Sequence, residues 1–171
     1  MKLIAILHAD SKWGIGRKND LMFHLKKDMK FFRETTKGHT VAMGENTLLS
    51  FPEGKPLKNR INIVLSNDVS HEYKDGIINV HSFEDFKKMI KSSLEKDDVY
   101  IIGGASIYHQ MLPYCNEVLL TKVFADGHAE VFFDNLDENK DYELIEESPV
   151  EEDNGYQIQF TTYRNNNPRE L

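Results

Sequence analysis

Short apolar runs rich in Ile, Val, Leu and Phe recur along the chain, separated by polar segments with turn residues. They are Leu3–Ala9, Thr40–Met43, Ile61–Leu65, Ile77–Val80, Val99–Ile102, Glu117–Val123, Tyr142–Glu147 and Tyr156–Tyr163. Most span four to seven residues, the length of strands. Several lack alternation, which marks strands covered on both faces. Helical patterns lie between them, at Leu25–Thr36, Ser82–Lys96 and Ala105–Leu112. Ser82 with Asp85 forms a capping signature for the second, and Pro113 stops the third. Strands alternating with helices predict an α/β layered fold with a mostly parallel sheet. The tail has strands without helices, so antiparallel pairing is expected at the C-terminal edge. No repeat, low-complexity tract or Gly/Ser linker interrupts the 171 residues, and a single domain over 1–171 is expected.

Composition narrows the function classes. The hydrophobic fraction of 40% with 11% aromatics is that of a globular chain. A single cysteine, Cys115, excludes a disulfide framework and multi-cysteine metal sites, and fits a reducing, cytoplasmic compartment. The longest N-terminal apolar run, Leu3–Leu7, is far short of the ~20 residues of a membrane span and too short for a signal-peptide core. The net charge of −7 argues against nucleic acid as a partner. Charge is nevertheless uneven. Lys12–Arg60 carries eleven basic and five acidic residues, whereas Asp126–Asp153 carries twelve acidic residues and one lysine. The basic third could hold an anionic ligand, although both stretches also fit solvated surface.

Three local patterns bear on chemistry. At 100° per residue, Leu25, Met29 and Phe32 form one apolar face of the first helix, extended by Phe31. Asp28 falls inside that arc, where a carboxylate is costly unless it is paired or faces a polar ligand. A satisfied core acid and a functional acid fit equally well. In Ile101-Ile102-Gly103-Gly104-Ala105-Ser106-Ile107-Tyr108, a strand runs through paired glycines into a helix. That junction lets backbone approach a ligand and offers free N–H groups to an anion, as a pyrophosphate requires, though tight turns share the pattern. Met43-Gly44-Glu45-Asn46-Thr47 is a second, weaker junction of this kind. Other motifs fail. Gly14–Asn19 begins like a dinucleotide fingerprint but lacks its third glycine and following helix, and reads as a mobile loop carrying Trp13. Gly104–Tyr108 lacks the final glycine of a nucleophile elbow. The seven histidines show no metal-ligand spacing, and no metal is expected.

Taken in order, these pieces resemble the dihydrofolate reductase family from Leu3 to about Tyr163. The resemblance rests on Ile15-Gly16 followed by Asn19, the Leu25-Lys26-Lys27-Asp28 helix start running to Phe31-Phe32, and Met43-Gly44 with Thr47. It continues through Pro56-Leu57 with Arg60 ahead of Asn62–Ser66, Ile102-Gly103-Gly104 with Tyr108, and Leu120-Thr121. The family's fold is a mostly parallel eight-stranded sheet flanked by helices, which agrees with the pattern above.

The resemblance implies roles residue by residue. Asp28 would bond the pterin 2-amino group and N3–H, with Thr121 as its support. Ile6, Leu21, Phe32, Ser50, Phe51, Leu57 and Ile102 would wall the substrate pocket, and Arg60 would hold the glutamate α-carboxylate of folate as a bidentate pair. Gly44, Thr47, Gly103 and Gly104 would cradle the cofactor pyrophosphate, with Ile15, Gly16, Asn46, Leu65, Ala105 and Ile107 along the same ligand. Tyr108 would sit near the nicotinamide, and Trp13–Leu21 would form the lid that excludes water.

Departures from the family pattern matter too. Met22-Phe23 stands where many members have Pro-Trp, so Phe23 keeps an aromatic beside the catalytic acid without an indole N–H, and Lys26 replaces a common proline. Glu45 and Ser106 occupy positions that are often basic, which leaves Ser66, Asn67 and His81 as candidates for the cofactor 2′-phosphate. NADPH is the family expectation, with NADH possible. Dihydrofolate and a nicotinamide cofactor are the implied small-molecule partners, and the family is usually monomeric. Two rival readings remain, a pyrimidine reductase of riboflavin synthesis and a catalytically silent pterin- or nucleotide-binding module.

Overall fold

The unalternating apolar runs become interior strands of one sheet, in a computed structural model that describes residues 1–17, 22–74 and 76–171. Its strands are β1 (Leu3–Ala9), β2 (Gly14–Gly16), β3 (Thr40–Gly44), β4 (Ile61–Leu65), β5 (Ile77–Val80), β6 (Val99–Ile101), β7 (Glu117–Val123), β8 (Val131–Phe132), β9 (Tyr142–Glu147), β10 (Glu151–Asp153) and β11 (Tyr156–Asn165). Its α-helices are α1 (Lys26–Thr36), α2 (Glu45–Leu49), α3 (Phe83–Leu94) and α4 (Ala105–Met111). The main sheet runs β10-β11-β7-β1-β6-β3-β4-β5, with β9 also on β11. Strands β1 and β3 to β7 are mutually parallel, and β11 joins β7 antiparallel. β10 pairs with Tyr156–Ile158 and β9 with Thr161–Asn165, so the two share one edge position and the sheet is eight positions wide.

Alternate residues of the central strands enter different cores. Leu3, Ala5, Ala42, Val99 and Ile101 pack with Phe86, Ile90 and Met111 of α3 and α4. Ile4, Ile6, Val41, Met43 and Tyr100 pack with Leu48 of α2 and with Phe31 and Phe32 of α1. Helices therefore cover both faces, and this is why the strands read as continuous apolar runs. The Ser82 hydroxyl accepts from the Asp85 N–H at 3.1 Å, as the capping signature implies.

Three elements depart from the sequence reading. Gly14–Gly16, expected in a mobile loop, is strand β2 paired with β8, and Trp13 beside it packs between Phe133 and Tyr163. The anchor is Asp10, only 7% exposed, whose carboxylate accepts from the Lys12, Gly14 and Gly127 N–H groups at 2.9, 2.7 and 2.9 Å. Met29, placed on the apolar face of α1, is 51% exposed. The inward arc instead comprises Phe31, Thr35, Asp28, Phe32, Leu25 and Thr36, which puts Asp28 at its middle. Third, the acidic stretch is not wholly solvated, because Asp153 is buried. It lies at the end of β10, before the Asn154-Gly155 turn, where both residues have positive φ (53° and 86°). This is the two-residue hairpin geometry that favours Asn-Gly.

Asp153 supplies the cap that α1 lacks locally, since Leu25 at the N-cap position has no side-chain oxygen. Its carboxylate accepts from the N–H groups of Lys26, Lys27 and Asp28 at 3.1, 2.9 and 3.3 Å. A negative charge at this helix end also meets the favourable end of the helix dipole. Asp153→Ala is expected to cost about 1–2 kcal/mol in chemical denaturation, and Asp153→Asn less, because a lost cap typically costs ~0.5–2 kcal/mol.

Candidate active site

Parallel strands carry their carboxyl ends to one edge of the sheet, where ligands of α/β folds bind. Here that edge gathers His8 of β1, Gly44 of β3, Ser66 after β4, His81 after β5 and Ile102–Gly104 after β6. Helix α1 presents Asp28 to the same edge, beside β1 and β7.

Asp28 is held by two donors. Thr121 Oγ1 donates to Oδ1 at 2.7 Å, and His8 Nδ1 lies 2.9 Å from Oδ2. The side chains of His8 and Asp28 are 10% and 13% exposed, and Thr121 is buried. Leu119 and Thr121 alternate with Leu120 along β7, as Ile6 and His8 alternate with Leu7 along β1, and His8 is the register partner of Thr121. Both donors therefore face α1. The sequence reading named Thr121 and missed His8. The signal was present, since a polar residue two beyond Ile6 shares its face of the strand.

Apolar walls flank the acid. Ile6 is buried, and Phe32, Phe51, Leu57 and Ile102 are half-buried against the same core. Ser50 lies exposed, its hydroxyl donating to the Thr47 carbonyl at 2.6 Å. Tyr108 is buried and donates to the Ile6 carbonyl at 2.9 Å; burial and then the nearby Asp28 charge push its phenol pKa well up. Phe23 is buried with Leu25, Val123 and Ile158, packs edge-on to Tyr156, and its ring centroid lies 6.1 Å from that of His8. Leu21 and Asn19 lie outside the described residues.

Arg60 stands at the rim with its guanidinium carbon 6.0 Å from the centre of the Phe32 ring. Its Nε is buried without a hydrogen-bond partner among the described residues. Burial, then the Arg33 charge, lower its pKa. A guanidinium at the rim beside a second arginine charge matches an incoming carboxylate. The loop is held from below by buried Asn62, which bonds the Leu57 N–H and the Leu57 and Arg60 carbonyls at 3.0, 3.0 and 3.1 Å.

Glycines make a second wall. The Gly44 N–H donates to the Gly103 carbonyl at 2.9 Å, joining the ends of β3 and β6. Gly103 has φ +130°, and a Cβ there would sit 3.0 Å from Thr47 Oγ1. A Cβ on Gly44 would meet Ile107 Cγ1 at 3.2 Å. Thr47 Oγ1 makes no hydrogen bond to a described residue, and Gly44 and Gly104 start α2 and α4 without side-chain caps. Free hydroxyl and N–H donors beside paired glycines suit a pyrophosphate. Ala105 lies half-buried at the α4 start, and Ser106 is exposed, its hydroxyl accepting from Gln110. Ile15 and Gly16 lie across on β2.

Farther along the edge, Glu45 gathers a polar cluster. Its Oε2 accepts from Ser66 Oγ at 3.0 Å and Tyr73 OH at 2.5 Å, and faces His71 Nδ1 at 2.7 Å. The Tyr73 bond, then those of Ser66 and His71, hold the Glu45 carboxyl below its ordinary range against an opposing desolvation, while Tyr73 is pushed up to about 12. His81 faces Glu72 at 2.6 Å and the Ser66 carbonyl at 2.9 Å, so both ring nitrogens meet acceptors and its pKa rises. Leu65 is buried beneath the cluster, and Asn46 and Asn67 are exposed beside it. The partnership of Tyr73 and His71 with Glu45 is not readable in the sequence, because they reach it only through the loop ahead of β5.

A family model described as dihydrofolate reductase matches residues 2–165. The dihydrofolate reductase of Staphylococcus haemolyticus is 32% identical over 165 residues, covering 95% of each chain. That of Bacillus subtilis (strain 168) is 31% identical over 164 residues, covering 95% of this chain and 94% of its own. Among solved structures, dihydrofolate reductase from Enterococcus faecalis complexed with NADP(H) and RAB-propyl superposes with a TM-score of 0.83 at 28% identity, covering 96% of both chains.

The Glu45 cluster carries an acid dependence. Its folded-state pKa lies below the ordinary 4.5, so its stabilising contribution is full above that value and is lost as pH falls through the folded one. Glu45→Gln removes this contribution. Melting temperature followed from neutral pH to about pH 3 is expected to fall less steeply in the variant than in the parent protein.

Proposed function

The chain belongs to the dihydrofolate reductase family, and from that premise we propose how its own residues carry the reduction of 7,8-dihydrofolate to tetrahydrofolate. The observation that carries the reading is the Asp28 carboxylate. It is anchored on one side by Thr121 and His8 and flanked by apolar side chains, with Arg60 at the rim, its Nε without a hydrogen-bond partner among the described residues. A carboxylate offers about four lone-pair sites, and the two anchors use two. One site on each oxygen remains for a pair of adjacent N–H donors, which the pterin 2-amino group and N3–H provide. Arg60 then takes the α-carboxylate of the glutamate tail.

When bound, the reduced nicotinamide supplies the hydride that goes to C6 of the dihydropterin. The glycine cradle, Thr47 and the open starts of α2 and α4 hold its pyrophosphate. N5 must gain a proton, which makes the adjoining carbon a better hydride acceptor. Asp28 is committed to the opposite edge of the ring, so a water delivers that proton while Asp28 sets orientation and local field. Buried Tyr108 braces the floor through the Ile6 carbonyl. Phe23 acts on this site by packing against His8. We extend the reading to a single-domain monomer acting in the cytoplasm, in keeping with one buried thiol, Cys115, which burial pushes up to about 12.

The cofactor's 2′-position is where the chain parts from the family expectation of NADPH. A 2′-phosphate would face Glu45, Asp68 and Glu72 against His71 and His81, a balance that gives an added dianion little. Glu45 Oε1 accepts no hydrogen bond from a described residue and can take a ribose hydroxyl. NADH is therefore used comparably with NADPH.

The decisive assay mixes the protein with dihydrofolate and either cofactor and follows absorbance at the nicotinamide band. Turnover is expected with both, and a flat trace from folded protein would remove the dihydrofolate reading and leave the two rivals, a pyrimidine reductase and a silent binding module. A kcat/KM ratio above ~100 for NADPH over NADH, about 2.7 kcal/mol at about 1.36 per tenfold, would refute the cofactor reading alone. Asp28→Asn is expected to keep the fold, since it removes a largely buried charge. Its turnover should fall steeply at neutral pH and recover in part in acid, where N5 is protonated without help. Unchanged turnover at neutral pH would contradict the role of Asp28.

A further inference from the structure

We propose that His8 is a substrate-positioning residue, which turns the Asp28 carboxylate so that its free lone pairs meet the pterin N–H edge. This inference rests on the folate reading of the site. It begins from strand geometry. His8 and Thr121 are register partners on adjacent parallel strands and point to the same face. Their donor atoms reach opposite oxygens of one carboxylate, at 2.9 and 2.7 Å.

An ionised carboxylate only accepts hydrogen bonds, so Nδ1 of His8 carries the proton that faces Oδ2. One donor alone would leave the carboxylate free to swing about its terminal torsion, which is broad and roughly two-fold. Two donors on different oxygens stop that rotation and define the plane in which the remaining acceptor sites lie. Precise placement matters, because a shift of about 1 Å in a positioning group can cost on the order of 100-fold in rate. The imidazole is itself held. Its side chain is 10% exposed, and the buried Phe23 ring lies 6.1 Å away at 59°. Phe23 thus fixes His8, and His8 fixes Asp28.

Packing alone would explain a bulky residue at position 8, but not the alignment of its Nδ1 with an oxygen that Thr121 leaves unpaired. Two substitutions separate the alternatives. In His8→Asn, the amide Nδ2 takes nearly the place of Nδ1 and can donate to Oδ2. In His8→Leu, volume is kept and the donor is lost.

The experiment measures kcat and KM for dihydrofolate in the parent protein, His8→Asn and His8→Leu, with melting curves for each. His8→Leu is expected to lose about 10- to 100-fold in kcat/KM for dihydrofolate, mainly through KM, as befits a lost bond to a charged partner. His8→Asn should recover to within a few-fold of the parent. Equal activity in His8→Leu and the parent would overturn the proposal. So would a melting point that holds in His8→Leu while only His8→Asn loses activity, because packing would then be what matters. If one variant fails to fold, the other still decides against the parent. An inactive parent protein would instead count against the folate reading itself.

Discussion

A carboxylate on the inward side of an amphipathic helix is the constraint around which this molecule is arranged. Asp28 lies mid-arc between Phe31, Thr35, Phe32 and Leu25, where an unpaired charge is strongly disfavoured. The sheet answers with two polar side chains at matching register, Thr121 and His8. They satisfy the acid without filling it, since each oxygen keeps acceptor capacity. An acid of this kind, charged but incompletely paired, is stable enough to fold and still disposed to bind a ligand with adjacent N–H groups.

The acid's position depends on parts of the chain far from it in sequence. Asp153 caps α1 from a hairpin some 125 residues downstream, and one of its three bonds goes to the Asp28 N–H itself. Lys27 returns the favour by bonding the Glu152 carbonyl at 2.8 Å. The C-terminal antiparallel strands thereby brace the start of the functional helix, and β11 lies against β7, which carries Thr121. Strand register, helix start and carboxylate orientation form one connected set.

On the proposed cofactor side, donors are distributed differently. Near the glycine turn, Thr47 and the uncapped helix starts leave donors open. Around Glu45 the donors are already used, by Ser66, Tyr73 and His71 converging on one oxygen. An anion is welcome at the first place and meets an established negative charge at the second. That contrast, within one edge of one sheet, bears on which nicotinamide cofactor fits.

Much of this was legible in the residues alone. Run length, missing alternation and the alternation of strands with helices foretold a mostly parallel sheet covered on both faces, because burial on two sides leaves no polar period. The inward acid showed itself by helical angle, although Met29 was misplaced at the edge of the arc. Asn154-Gly155 was a readable hairpin signal passed over because its flanks are acidic rather than apolar. What no linear pattern could supply is partnership. His8 beside Thr121, Asp153 on α1 and Tyr73 on Glu45 are contacts between distant segments, and they exist only once strand order and register are set. The chain by itself determined which residues could be strands, helices and ligand-facing turns; the folded sheet alone decided which polar groups meet, because hydrogen bonds act over about 3 Å and sequence distance carries no such range.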